Sequence, residues 1–162
     1  MLKYLNTQVT FSEVPDEISL CINITGCKIG CKGCHSAYLA DDIGTSLDES
    51  ELQALIESNK GITCVTFMGG DAEPNEIHHM AMFIKDTYPR LKVAWYSGRE
   101  NLPSLIKLNL HDFDYIKLGP YIEEFGPLNS RTTNQKFCKV FHLSTGRCEL
   151  IEITHKFWKE ND

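Results

Sequence analysis

Three cysteines, Cys27, Cys31 and Cys34, fall within one stretch of eight residues. Thiolates are the usual protein ligands of iron–sulfur clusters, and one short segment can hold three corners of a cubane cluster. A [4Fe–4S] cluster bound by three cysteines keeps one iron free for an exogenous ligand, as catalytic metal sites keep an open position. Lys28 and Lys32 lie beside the thiols, and a positive charge favours the deprotonated form that binds iron. The spacing therefore predicts a [4Fe–4S] cluster with an open coordination position.

The spacing alone leaves a zinc site as an alternative. A closed zinc site normally takes four ligands in paired spacing, so this segment would need Cys21, Cys64, His35 or another distant residue to complete one. A zinc-binding module or a simple electron carrier therefore remains a rival interpretation. The cysteines outside the segment lie singly in predicted strands, and we expect them to be buried in the core; they are Cys21, Cys64, Cys138 and Cys148.

Composition and charge limit the remaining classes of protein. The chain has 162 residues, which is enough for one domain spanning residues 1–162. Seven cysteines without an export signal indicate a reducing, cytoplasmic compartment. Lys and Arg number 16 against 22 Asp and Glu, and a net charge of −6 argues against nucleic-acid binding. No apolar run approaches the roughly 18 residues that cross a membrane.

The hydrophobic pattern predicts strands that alternate with helices. Short apolar runs that stop at glycine or at Ser-Gly predict strands, whereas apolar residues at helical spacing predict helices. The predicted strands are residues 18–25, 62–68, 91–96 and 113–118, and the predicted helices are residues 47–59, 75–88 and about 102–108. The segments 137–143 and 147–154 flank Ser144-Thr145-Gly146 and predict a hairpin.

This order of elements predicts an α/β fold with a mainly parallel sheet, built from right-handed βαβ units and ending in a C-terminal β-hairpin. A complete eight-stranded TIM barrel needs about 250 residues. We therefore expect an incomplete, TIM-like βα barrel with one side left open.

The cysteine segment, Cys27 to His35, resembles the CxxxCxxC signature of the radical S-adenosylmethionine superfamily. Gly69-Gly70-Asp71-Ala72-Glu73-Pro74 follows the second predicted strand and is similar to that superfamily's Gly-Gly-Glu-Pro segment. Asp71 stands where many members have Glu, and Ala72-Glu73 separates it from the proline. Paired glycines allow the close approach of the backbone to a ligand.

The resemblance implies two cofactors, a [4Fe–4S] cluster and S-adenosylmethionine, which carry the chemistry themselves, so that no side chain is catalytic. Cys27, Cys31 and Cys34 are then the metal ligands. Ser97 and Lys117, at the ends of the third and fourth strands, are implied contacts of the cofactor's ribose and carboxylate. The full set implied to bind the cofactor is Gly33, Cys34, His35, Gly69, Gly70, Asp71, Ser97 and Lys117.

The resemblance narrows further along the chain. Lys117 to Glu124, Gly126 to Leu128 and Thr133 to Gln135 resemble the activating enzymes of anaerobic ribonucleoside-triphosphate reductases. His35-Ser36 departs from them, because many of these enzymes have an aromatic residue and then Asn there. The resemblance implies an oxidoreductase that cleaves S-adenosylmethionine and takes a hydrogen from a glycine of the reductase, which leaves a glycyl radical.

The same resemblance implies two protein partners. These are the large glycyl-radical subunit of the reductase and a flavodoxin- or ferredoxin-like electron donor. A glycine on a large protein needs a wide entrance, so we expect the open side of the short barrel to dock the reductase near Gly119 to Gln135. A small radical enzyme acting on a small molecule, of the queuosine-pathway type, is the main alternative.

Overall fold

The computed structural model describes residues 1–26 and 43–158. Within them, one eight-stranded sheet carries three helices. The strands are β1 (Lys3–Thr10), β2 (Ser19–Ile24), β3 (Thr45–Ser46), β4 (Cys64–Met68), β5 (Lys92–Tyr96), β6 (Tyr115–Leu118), β7 (Lys136–His142) and β8 (Cys148–Glu152). The helices are α1 (Glu49–Glu57), α2 (Pro74–Thr87) and α3 (Ser104–Leu108), and short 3-10 helices cover Leu110–Asp112 and Thr154–Phe157.

The strand order is β3-β1-β2-β4-β5-β6-β7-β8. Strands β2, β4, β5 and β6 form a parallel central block, joined by the helical connections that parallel strands need. The other four ladders are antiparallel. The expectation of a mainly parallel sheet is therefore wrong for the described residues, because β1 and β3 add an antiparallel edge on one side and the hairpin adds another on the opposite side.

The sheet is open rather than closed. β3 and β8 form its two edges in the described parts of the chain, and no ladder joins them. The structure thus shows a mixed α/β fold. It does not show the incomplete TIM-like barrel that the sequence led us to expect. The parallel block nevertheless brings the carboxyl ends of β2, β4, β5 and β6 to one edge, where open α/β sheets bind ligands.

The helices pack on one face of the sheet. The main core joins side chains of the helices, such as Leu52, Ile77 and Ile106, to strand residues such as Phe67 and Trp95, and all five are fully buried. Asp48 caps α1 by accepting a hydrogen bond from Glu51 N–H at 2.8 Å, and Pro74 occupies the first turn of α2, where a missing N–H costs nothing. No helix in the described residues is long and apolar enough to cross a bilayer.

The opposite face of the sheet, which we call the inner face, carries a smaller core. Cys64, Ala94, Tyr115 and Phe137 pack there under Val14, which belongs to the loop after β1 and is fully buried. Tyr96 donates its hydroxyl hydrogen to the carbonyl oxygen of Glu13 in that loop. The loop after β1 and the strand β7 thus cover part of the inner face.

The predicted elements of the chain are largely confirmed. Every predicted strand and helix is present with ends shifted by at most two residues, and the hairpin turns at Gly146, whose φ is 86°. Two strands were not expected from the sequence, β1 and the two-residue β3. Together they provide the antiparallel edge next to β2.

Candidate iron–sulfur and cofactor site

The predicted cluster ligands Cys27, Cys31 and Cys34 lie outside the described residues, as do Gly33 and His35. The structure does describe where the chain enters and leaves their segment. Gly26 follows the carboxyl end of β2, and the chain returns at Ile43, just before β3.

Thr25 joins the two ends of the cysteine segment. Its N–H donates to Lys3 O at 2.9 Å, and its buried hydroxyl lies within hydrogen-bond distance of Ile43 O and 3.2 Å from Lys3 O. The chain that carries the three cysteines therefore begins and ends at one point, at the carboxyl end of β2. This is the edge of the parallel block where the sequence placed the cluster.

A cavity of about 270 Å³ opens beside this point. One wall is the backbone of Thr25 and Gly26, and the facing wall is the turn between β4 and α2. Its lining residues are Met1, Leu2, Lys3, Thr25, Gly26, Gly70, Ala72 and Glu73. The cavity thus lies between the start of the cysteine segment and the turn Gly69–Pro74.

The turn after β4 depends on its paired glycines. Gly69 and Gly70 have φ values of 105° and 91°, which side chains rarely adopt. The Gly69 carbonyl accepts a hydrogen bond from Trp95 Nε1–H at 2.7 Å, and its N–H donates to Tyr96 O at 3.0 Å. Both glycines are therefore fixed in place by the fold, with Gly70 in the wall of the cavity.

Gly70→Ala is expected to destabilise the fold by about 3 kcal/mol. A Cβ at Gly70 would lie 2.5 Å from Ile77 Cδ1 and 2.9 Å from Ile77 Cγ1, and Ile77 is fully buried. Positive φ costs about 1–2 kcal/mol for a residue with a Cβ, and overpacking adds about 1–3 kcal/mol. Urea unfolding measures the change.

Gly146→Ala is the matched control for that substitution. Gly146 has a similar φ of 86°, and a Cβ there meets nothing within 4 Å. We expect a loss of about 1 kcal/mol from backbone strain alone. Equal losses for the two variants would show that packing of Gly70 against α2 is unimportant.

Asp71 is buried and joins the turn to the end of β5. Its Oδ1 accepts a hydrogen bond from the Ser97 hydroxyl, and its Oδ2 accepts one from Gly98 N–H at 2.9 Å. Arg99 Nη2 donates to the Asp71 carbonyl at 2.7 Å, and Arg99 Nε lies 3.7 Å from Asp71 Oδ1. The Asp71 carboxylate thus holds the turn after β4 to the end of β5.

Ser97 and Lys117 also have partners within the protein. Ser97 is fully buried, and its hydroxyl oxygen accepts a hydrogen bond from Arg99 N–H at 3.0 Å besides donating to Asp71. Lys117 Nζ donates to Ser97 O at 3.2 Å and to Gly119 O at 2.8 Å, and it lies 5.9 Å from the centre of the Tyr96 ring. The structure therefore brings Asp71, Ser97 and Lys117 together at the carboxyl ends of β4, β5 and β6. Direct contact of these side chains with a cofactor stays a prediction.

The sequence did not single out Arg99, although it completes this network. Its carbonyl also accepts a hydrogen bond from Gly119 N–H at 2.6 Å, so it links the ends of β5 and β6. Nothing in the sequence distinguishes an arginine that follows Ser-Gly in a loop from an ordinary surface arginine. Its role becomes visible only when the strand ends are brought together.

The cysteines outside the segment are poor metal ligands. Cys21, Cys64 and Cys138 are buried as expected, and Cys148 is partly buried. Burial raises the pKa of the Cys21 and Cys64 thiols to about 12, so both are neutral at pH 7. In the parts of the chain that the structure describes, no group of three or more metal-ligating side chains could hold a metal ion.

The strand ends, the cavity and the cysteine segment together are typical of an iron–sulfur protein. The sequence model of the 4Fe-4S single cluster domain family matches residues 18–116, more than half of the chain. The protein therefore belongs to that family. The matched residues begin just before β2, include Cys27, Cys31 and Cys34, and end within β6, so they cover β2, β4, β5 and the first half of β6. No curated protein and no solved structure matches the chain.

Proposed function

We propose that this protein is a radical S-adenosylmethionine enzyme that activates an anaerobic ribonucleoside-triphosphate reductase. The observation that carries the proposal is the position of the three-cysteine segment, whose two ends meet at Thr25 beside the glycine turn that follows β4. A cluster bound by Cys27, Cys31 and Cys34 would supply the electron for the reductive cleavage of S-adenosylmethionine, and the outcome of this chemistry would be a glycyl radical on the reductase.

The chain's own residues would hold and orient these cofactors. Cys27, Cys31 and Cys34 would bind the cluster through their thiolates, and three ligands leave one iron open to the methionine end of the second cofactor. Gly70 places backbone atoms, without a side chain, at the wall of the adjoining cavity. Asp71 and Arg99 keep this turn attached to the end of β5. This attachment would fix the distance between the cluster and the cofactor in the adjoining cavity.

The parallel block is the element that we assign to the partial barrel of the superfamily. Val14 and its neighbours cover part of its inner face. Binding at the carboxyl ends agrees with the general rule for parallel sheets. The absence of a fourth clustered cysteine from the sequence favours this proposal over a closed zinc site.

The segment Gly119 to Gln135 is a compact loop that we assign to reductase docking. Its two ends touch, since a Cβ at Gly119 would lie 3.2 Å from Gln135 Cα, and Asn134 Nδ2 donates to Pro120 O at 3.0 Å. At its far side, Trp158 Nε1–H donates to Leu128 O at 3.1 Å. These bonds give the loop a defined shape before any partner arrives, which lowers the entropic cost of binding.

Replacing residues 121–133 by a Gly/Ser linker of equal length is expected to lower glycyl-radical formation on the reductase by about a hundredfold. Loss of a preformed docking element removes central contacts of an interface, which carry most of its binding energy. Electron paramagnetic resonance measures the glycyl radical, and 5′-deoxyadenosine formed without reductase measures cofactor cleavage. Thr145→Ala, in the hairpin turn at the other end of β7, is the control and should leave both unchanged. Full activation by the linker variant would exclude this loop as the docking element.

Anaerobic reconstitution tests the proposal as a whole. An enzyme of this class forms a brown, oxygen-sensitive chromophore that dithionite bleaches, and it releases 5′-deoxyadenosine on reduction. Glycyl radical on the co-purified reductase then identifies the substrate. 5′-Deoxyadenosine without a glycyl radical would favour the small-molecule enzyme, whereas stoichiometric zinc without 5′-deoxyadenosine would favour the binding module.

A further inference from the structure

Phe125 is the exposed aromatic residue of the loop from Gly119 to Gln135. It is 43% exposed, whereas Tyr121, Ile122 and Leu128 in the same loop are partly buried. Single exposed apolar residues are common on protein surfaces, so the exposure of Phe125 carries no meaning by itself. Phe125 differs from an ordinary surface residue in the way that the loop holds its backbone.

The backbone of Phe125 is held from both sides. Its N–H donates to Ile122 O at 3.0 Å, and its carbonyl accepts a hydrogen bond from the Thr132 hydroxyl at 2.7 Å. Gly126 N–H donates to the same Ile122 carbonyl at 3.1 Å, and Gly126 closes the turn with a φ of 81°. The turn packs so closely on Ser130 that a Cβ at Gly126 would lie 2.9 Å from Ser130 Cβ. The Phe125 ring is therefore presented from a fixed backbone, and binding through it needs little further ordering of the chain.

Two carboxylates precede this ring in the chain. Glu123 and Glu124 are both exposed, and neither forms an ion pair or a hydrogen bond with residues 1–26 or 43–158. The loop tip, which we define as Glu123, Glu124 and Phe125, thus combines an apolar ring with two negative charges. A surface that receives this tip must offer an apolar pocket and positive charge, because a negatively charged surface would repel it.

We propose that Phe125 is the anchor of the docking loop and enters an apolar pocket of the reductase that is rimmed by lysine or arginine side chains; this rests on the proposed function. A few buried anchors, often aromatic, carry most of the binding energy of an interface. Charges at the rim govern the rate of association and the choice of partner instead. Phe125 thus provides affinity, and the two glutamates provide selectivity for a basic surface.

Phe125→Ala tests the anchor. We expect the Kd for the reductase, measured by anaerobic calorimetry, and the KM for the reductase in the glycyl-radical assay to rise about thirtyfold, as for a hot-spot residue. The thermal midpoint should stay within about 2 °C of the wild type, because the side chain is exposed in the free protein. Phe141→Ala is the matched control, since Phe141 is 49% exposed on β7, and it should leave the Kd unchanged. An unchanged Kd for Phe125→Ala would overturn the proposal.

The double variant Glu123→Gln and Glu124→Gln tests the charge of the receiving surface. We expect its association rate with the reductase to fall about tenfold at about 20 mM salt and to match the wild type at about 0.5 M salt, where charges are screened. Stopped-flow fluorescence measures this rate. Faster association of the double variant at low salt would show an acidic receiving surface and would overturn the basic rim.

Other occupants of the loop tip would give different results. If Phe125→Ala slows reduction of the cluster by a flavodoxin-like donor and leaves the Kd for the reductase unchanged, the tip binds the electron donor. If it halves the mass seen by analytical ultracentrifugation without reductase, the tip binds a second copy of this chain. Either result would overturn the proposal. A wild-type protein that forms no 5′-deoxyadenosine would instead overturn the proposed function itself.

Discussion

Cys31→Ala is expected to abolish cluster binding and 5′-deoxyadenosine formation together. Two thiolates cannot hold three corners of the cluster, and the open iron would no longer face the second cofactor. Loss of even a residue that only supports a metal ligand costs 10–100-fold, so we expect less than about 1% of wild-type 5′-deoxyadenosine. Iron and sulfide content after anaerobic reconstitution, with 5′-deoxyadenosine by chromatography, checks both losses.

Cys148→Ala is the control for that substitution. Cys148 is a partly exposed thiol on β8, and its Sγ lies 3.5 Å from His142 Nδ1, within the range of a sulfur hydrogen bond. We expect this variant to bind the cluster with wild-type iron content. A cluster that survives in Cys31→Ala and is lost in Cys148→Ala would place the metal elsewhere in the protein.

Asp71→Ala is expected to lower the free energy of unfolding by about 4 kcal/mol. The substitution leaves the Ser97 hydroxyl and Gly98 N–H without their acceptor and removes the ion pair with Arg99. Breaking a buried charged network costs about 3–5 kcal/mol, whereas small domains have only about 5–15 kcal/mol in total. Urea unfolding of the reconstituted protein at low temperature measures the change.

Two further variants separate burial from charge at Asp71. Asp71→Asn keeps an acceptor for Gly98 N–H and should lose about half as much stability. Asp86→Ala, on the exposed side of α2, removes a carboxylate without a described hydrogen bond and should change stability by less than about 0.5 kcal/mol. Equal effects of Asp71→Ala and Asp86→Ala would mean that net charge, not the network, matters.

The parallel block could be predicted from the sequence because its strands are continuous apolar runs that end at glycine or at a turn. The edge strand β1 could not, since its apolar residues Leu5 and Val9 are 39% and 45% exposed and form no buried face. β1 is held by backbone hydrogen bonds to β2, and these leave little trace in the hydrophobic pattern. For that reason the sequence predicted a larger share of parallel strand pairs than the sheet has.

The residues of the candidate site likewise divide into those that the sequence could single out and those that it could not. Residue type and spacing predict the three cysteines as cluster ligands, and this stays a prediction. The paired glycines could also be singled out from the sequence, and the structure gives both a positive φ. The use of Asp71 could not be predicted, since its partners lie 26 to 28 residues further along the chain.

The bond between Thr25 and Ile43 has a consequence for how the protein acquires its iron. Closing a loop as long as residues 26–43 costs about 2.5 kcal/mol of chain entropy. The hydrogen bond from the Thr25 hydroxyl to Ile43 O offsets part of this cost, because it joins the two ends of the segment. We therefore expect a folded apoprotein, with these ends already joined, to be the form that receives iron and sulfide.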